Sequence, residues 1–253
     1  MTEILVPSRF CGPPSSGNGG WSAGALAAVT VERTDHADPW PAITVSLHQP
    51  PPLDVELPVS TDDGWTVATY DGRPVARARV ADHELTEVPP VPLADAQAAT
   101  SGYRGFISHP FPSCFTCGTG RDEGDGLRIF PGDLPGDDQS RVAAPWTPHP
   151  SVAEDWHAYH ESAQDASLPV TWAALDCVGG WSTDIEERAM VLGTITLRLD
   201  ALPRIGEEHV LVGAARGREG RKTYTAATLY DSAGAVVATA EHVWITIDPA
   251  AFG

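Results

Sequence analysis

The chain has 253 residues and carries 16 lysines and arginines against 34 aspartates and glutamates, a formal charge of -18. Such an acidic balance works against nucleic acid or an anionic membrane surface as partner, and no apolar stretch approaches the roughly 20 residues of a membrane span. Met1–Pro7 lacks the basic region and apolar run of a secretory signal, and the four cysteines are too few for a disulfide-built secreted scaffold, so a cytoplasmic protein with reduced thiols is expected.

The first predicted element is a helix over Trp21–Val31, rich in Ala and Leu, entered from a Pro-, Ser- and Gly-bearing loop whose last residue, Asn18, is suited to cap it. Ile43–Leu47 alternates apolar and polar residues before Pro50 and reads as a half-buried strand. A turn at Tyr70-Asp71-Gly72 precedes another strand over Pro74–Val80. Pro89 to Asp138 is rich in Pro and Gly and contains Cys114-Phe115-Thr116-Cys117-Gly118 and Asp137-Asp138. A connection this long inside a compact chain implies a job, and an ordered crossover with weak secondary structure is expected.

The second helix is expected over Leu168–Trp181, with Pro169 in its first turn and a break or kink at Gly179-Gly180. Ile195–Leu199 before Pro203 is again a strand, and Ala235–Ile247 follows a turn at Tyr230-Asp231. The halves echo each other. Gly19-Gly20-Trp21-Ser22 recurs as Gly179-Gly180-Trp181-Ser182, and Tyr70-Asp71 recurs as Tyr230-Asp231 at the same displacement along the chain. Each half therefore orders as helix, strand, strand, turn, strand, an α+β arrangement of an antiparallel sheet on one helix. The expected units are 1–88 and 139–253, joined by a crossover at 89–138.

This order, with Asn18-Gly19-Gly20-Trp21 opening an Ala-rich helix, resembles the double-hotdog acyl-CoA thioesterases and their actinobacterial thioesterase-like relatives. The resemblance spans nearly the whole chain except the crossover. It implies two fused hotdog units, each an antiparallel sheet wrapped on a central helix, and it implies an acid, a hydroxyl and an amide as acting groups. Carried onto this sequence, the acid falls at Asp176 and the hydroxyl at Thr194. The amide position falls on His242 or Glu241 according to alignment, so the family's glutamine is missing; strand alternation allows only one of the two to face inward. A further dimer of double-hotdog chains is expected by the same analogy.

Thioester hydrolysis needs a water made nucleophilic beside a carbonyl and donors for the oxyanion. Asp176 is the expected base, with Thr194 orienting the water. Backbone N–H groups around Gly19, Gly20 and Trp21, at the positive end of a helix, are the expected oxyanion donors, with Asn18 adding a side-chain amide. Arg221 and Lys222 belong to the densest basic cluster and suit the phosphates of coenzyme A, although a solvated hairpin tip would read the same way. The Ser-His-Asp order of an α/β-hydrolase finds no match, so a serine nucleophile is not expected. A hydratase of the same fold would need a helix histidine, which neither helix carries.

Cys114 and Cys117 have zinc-knuckle spacing. A structural zinc wants four ligands, and His109, Cys11 or a crossover Asp would have to complete the set. The expectation is therefore no metal and no bound cofactor, coenzyme A entering only as part of an acyl thioester substrate. The rival expectation is an acyl-binding protein that keeps the pocket without the chemistry.

Overall fold

A computed structural model describes residues 2–32, 40–136, 140–153 and 164–248. In chain order the regular elements are β1 (Thr2–Leu5), α1 (Gly19–Glu32), β2 (Ile43–Leu47), β3 (Glu56–Asp62), β4 (Trp65–Tyr70) and β5 (Arg73–Val80). Next come α2 (Leu93–Thr100), β6 (Gly132–Asp133) and β7 (Arg141–Trp146). Last are α3 (Leu168–Trp181), β8 (Met190–Leu199), β9 (His209–Glu219), β10 (Lys222–Tyr230) and β11 (Val236–Thr246). Among the described residues no helix is long and apolar enough to cross a membrane.

The strands form one antiparallel sheet in the order β1-β3-β4-β5-β2-β8-β11-β10-β9-β7-β6. β1-β3-β4-β5-β2 and β7-β9-β10-β11-β8 are the same pattern, each built from one strand, a helix and four further strands, so the repeat expected from the sequence is present as two hotdog units. They join where β2 pairs antiparallel with β8, Thr44 opposite Thr196 with their hydroxyls 2.9 Å apart.

Both central helices are apolar on all sides, as a helix inside a core must be. All of α3 is buried. They run antiparallel against each other, and glycine sets the distance: a Cβ on Gly24 would lie 2.7 Å from the Pro169 Cα, and one on Gly20 2.7 Å from the Trp172 carbonyl. Asn18 caps α1 through its Oδ1, which accepts from the Trp21 N–H at 2.8 Å, and Ser167 caps α3. The core they share contains the fully buried Trp172, Trp181, Leu26 and Leu175, each side chain contributing about 1.5–3 kcal/mol by burial.

Strand alternation divides the second unit cleanly. Val142, Leu211, Ala227 and Leu229 point to α3, whereas Ala143, Val210, Val212 and Ala226 point to the opposite face, where Ala96 of α2 covers them. The crossover then passes to the helix ends. Tyr103 packs on Trp181 with ring centroids 4.5 Å apart, and the Arg104 guanidinium donates to the Trp181 and Thr183 carbonyls at the end of α3. The Asp137-Asp138 pair lies outside the described residues.

Two expectations are corrected. The helix does not break at Gly179-Gly180; α3 continues through both to Trp181. The missing side chains let it lie on the sheet, where a Cβ on Gly179 would meet the Thr225 hydroxyl at 2.5 Å. Consequently the two Gly-Gly-Trp-Ser segments are not equivalent: one opens α1 and the other closes α3. The Tyr-Asp echo is equivalent, since Tyr70 and Tyr230 end β4 and β10 at matching hairpins.

Candidate functional site

A cavity of about 270 Å³ lies between the N-terminal end of α1, the later turns of α3, the ends of β2 and β8, and the crossover. Its walls are mainly apolar, with Leu47, Trp181, Ile185, Met190, Leu192 and Trp244. Its polar lining includes Ser16, Asn18, His48, Gln49, His109, Asp176 and three cysteines, with Gly19 beside them.

Asp176 is central. It sits in the third turn of α3 rather than at the helix start, and its carboxylate faces the N-terminus of the other helix, whose dipole favours negative charge. Its Oδ2 accepts from the Gly20 N–H at 2.9 Å and from the Asn18 Nδ2 at 3.1 Å. The Oδ1 is buried and makes no hydrogen bond among the described residues. Burial pushes the carboxyl up to about 7, the Gly20 and Asn18 bonds opposing it only in part and the Cys114 charge adding to it.

The expected oxyanion donors are redistributed by this arrangement. The Gly20 N–H serves Asp176, and the Trp21 N–H serves Asn18 Oδ1. The Trp21 ring is buried core, stacked on Phe10 at 4.5 Å. Gly19 lines the cavity, and its N–H, at the first helical position, has no intrahelical partner.

Thr194 is not beside Asp176. Its hydroxyl lies 3.3 Å from Ser46 Oγ, and it lines a groove on the outer face of the sheet with Thr44, Arg79 and Arg216. The cause is the pleat: Ile195 and Leu197 point into the core, so Thr194 and Thr196 point out, and a bulge in the pairing with β11 at Gly193 separates Thr194 from Leu192 at the cavity. Glu241 is in the same outer groove, its carboxylate accepting from the Thr86 N–H and facing His83. His242 is the inward residue of the pair, 2% exposed, but it packs under Gly179 with Nδ1 3.1 Å from Thr225 Oγ1 and does not line the Asp176 cavity. Burial pushes its pKa down to about 4. The three groups carried over beside Asp176 therefore do not converge on it.

Arg221 and Lys222 lie at the β9–β10 hairpin. Arg221 donates to the Thr246 carbonyl, and Lys222 is opposite Ile245, which lines the cavity, so the hairpin stands one strand from its wall.

What the residue pattern did not bring together is a thiol cluster. Cys114, Cys117 and Cys177 are buried and free, and their Sγ atoms all lie within 4.8 Å of one another. Hydrogen bonds from Cys117 and Cys177 hold Cys114 well below the usual thiol range; burial pushes Cys117 up, and the bond to Cys114 pushes Cys177 up. Cys177, the neighbour of Asp176, is far along the chain from Cys114-x-x-Cys117, and no spacing in the sequence signals that the three meet. Cys11 stands apart, accepting from Arg121 at 3.0 Å.

No family model and no curated protein sequence matches this chain. Solved structures do. A protein of Novosphingobium aromaticivorans assigned as a thioesterase superposes with a TM-score of 0.61 at 15% identity, covering 97% of this chain and 95% of its own. A protein of Thermobifida fusca assigned as thioesterase II gives 0.60 at 14% identity over 97% and 92%. A hot dog fold protein of unknown function from Alicyclobacillus acidocaldarius gives 0.59 at 14% over 98% and 93%. At such identity the likeness is one of fold, and it covers both units of each molecule: this chain is a double hotdog.

Proposed function

We propose that the protein hydrolyses an acyl thioester held in the cavity between α1 and α3. The observation that carries this reading is the state of Asp176: a buried carboxylate on the wall of an apolar cavity, one oxygen fixed by Gly20 and Asn18 and the other unpartnered. A carboxylate held this way can accept a proton from a water as the water oxygen bonds to the thioester carbonyl carbon. Collapse of the tetrahedral adduct breaks the carbon–sulfur bond, and the proton passes from Asp176 to the leaving thiolate. The products are a carboxylic acid and a thiol. The Gly19 N–H and the positive end of α1 are the groups available to the developing oxyanion. The apolar wall suits an acyl chain, and the Arg221–Lys222 hairpin suits the phosphates of a coenzyme A carrier. The assignments of the structurally similar proteins agree with this chemistry.

A second reading has an observation in its favour. Thr194, Glu241 and His242 lie outside the cavity, so the water-orienting groups implied by the resemblance are missing from it, which suits an acyl-binding protein. Release of free thiol from short, medium, long and aromatic acyl-CoAs separates the two. Hydrolysis requires turnover of at least one of them that falls about 10²-fold or more in Asp176→Asn. Saturable binding with no turnover of any would establish the binding protein instead.

A further inference from the structure

We propose that Cys114, Cys117 and Cys177 bind one zinc ion, with the fourth coordination position open to the cavity. This goes beyond the hydrolase reading and does not depend on it. Three thiolates at the usual Zn–S length of about 2.3 Å in a tetrahedron stand roughly 3.8 Å apart. Cys114 and Cys177 are 3.6 Å apart, and no pair in the trio exceeds 4.8 Å. These separations are well beyond the ~2.05 Å of a disulfide, and all four cysteines of the chain are free.

The ligands come from two places in the chain, a turn of the crossover and the third turn of α3, and the turn is built to face the helix. The Gly118 N–H donates to the Cys114 carbonyl at 2.8 Å, closing a tight Cys-x-x-Cys-Gly knuckle. A Cβ on Gly118 would lie 2.4 Å from that carbonyl oxygen and equally close to the Pro112 oxygen, so no other residue fits. Thr116, between the two cysteines, ties the knuckle to α3 by donating to the Ala173 carbonyl at 2.9 Å. The Asn18 amide lies 3.7 Å from Cys114 Sγ, where its N–H can donate to a metal-bound thiolate.

The fourth position is left to the cavity. Both ring nitrogens of His109 are engaged: Nδ1 accepts from the Phe111 N–H at 2.9 Å, which leaves the proton on Nε2 to donate to the Cys117 carbonyl at 3.1 Å. No fourth ligand atom joins the three thiols among the described residues, while all three cysteines line the cavity. Three protein ligands and one open position is the pattern of reactive rather than purely structural zinc. Ligation releases the thiol protons, so the bound ion would hold three thiolates.

The test is the metal content of the full chain, produced with added zinc and purified without chelator. About one zinc per chain is expected, retained in Cys11→Ser and lost in Cys117→Ser and Cys177→Ser. Because a cysteine variant can fail to fold, the wild type is also titrated with p-hydroxymercuribenzoate, and zinc release in step with modification of three thiols is expected. Cobalt in place of zinc should give thiolate charge-transfer bands, and d–d bands that shift when imidazole is added. Zinc below roughly a tenth of an equivalent in the supplemented wild type, release out of step with the thiols, or a disulfide within the trio by mass spectrometry would overturn the site. Cobalt d–d bands indifferent to imidazole would overturn the open position.

Discussion

The two ends of the helix pair are related by the internal repeat, and among the described residues only one gathers a carboxylate, an amide and thiols. Counted from the first helical residue, Asp176 and Cys177 are ninth and tenth in α3, and the same places in α1 hold Ala27 and Ala28. The packing confirms the equivalence: Gly20, second in α1, touches Ala173, sixth in α3, and Pro169, second in α3, touches Gly24, sixth in α1. The caps correspond as well, Asn18 at one end and Ser167 at the other. A duplicated fold offers two such junctions between a helix N-terminus and the partner helix. Among the described residues one junction holds a carboxylate, an amide and thiols, and the equivalent helix places of the other hold Ala27 and Ala28. The difference teaches that the fold supplies the junction and individual side chains supply the site.

The most severe way to break the comparison is to move the carboxylate. Ala27→Asp puts a charge in a buried place with no Asn18 amide or glycine N–H arranged to receive it, and urea unfolding at pH 8 should show a loss on the order of 3 kcal/mol or more. If Ala27→Asp were as stable as the wild type, the partners of Asp176 would not be what lets that carboxylate stay buried.

His242, on β11 beneath Gly179 of α3, tests burial without a charge partner. Its folded pKa, about 4, lies below the ordinary histidine value of 6.5. Between those values the unfolded chain binds the extra proton, so this contribution to stability is complete above pH 6.5 and is lost as pH falls to 4. The size is on the order of 3 kcal/mol. Chemical denaturation across that window should show a stability slope that is reduced in His242→Gln; equal slopes in the two proteins would contradict the burial account.

Smaller changes sharpen the contrast at the cavity itself. Gly20→Ala brings a Cβ to 2.6 Å from Asp176 Cβ and 2.7 Å from the Trp172 carbonyl, a collision with backbone worth about 1–3 kcal/mol by thermal unfolding. Gly19→Ala meets mainly the Leu192 side chain and should cost less. The smallest effect belongs to Glu241→Gln. Its side chain is 36% exposed on the outer face, so stability should change by less than about 0.5 kcal/mol and turnover should not change. A large drop in turnover would return Glu241 to the site.

Much of this was legible in the sequence, and the misses have physical reasons. The helices, the Asn18 cap and the hairpins after Tyr70 and Tyr230 follow from local propensity and pattern, whereas Asp176 was reached only through the family resemblance. The Gly-Gly-Trp-Ser echo misled because the same four residues can open one helix and close another, and only packing tells which. Thr194 failed because a bulge and the strand pleat decide its direction, and neither shows in a run of alternating residues. Glu241 and His242 were left open by register alone; pairing with β8 and β10 settles that His242 points in. Cys177 is distant in sequence from Cys114 and Cys117, and only the crossover's path over the end of α3 brings them together.

The central claim is that Asp176 acts on a bound thioester rather than merely shaping its cavity. The most direct measurement pairs turnover of the best acyl-CoA with binding of its non-hydrolysable thioether analogue, in wild type and Asp176→Asn. The account requires binding within a few-fold of wild type and turnover lower by about 10²-fold or more. Turnover retained in Asp176→Asn, or lost only in proportion to binding, would contradict it.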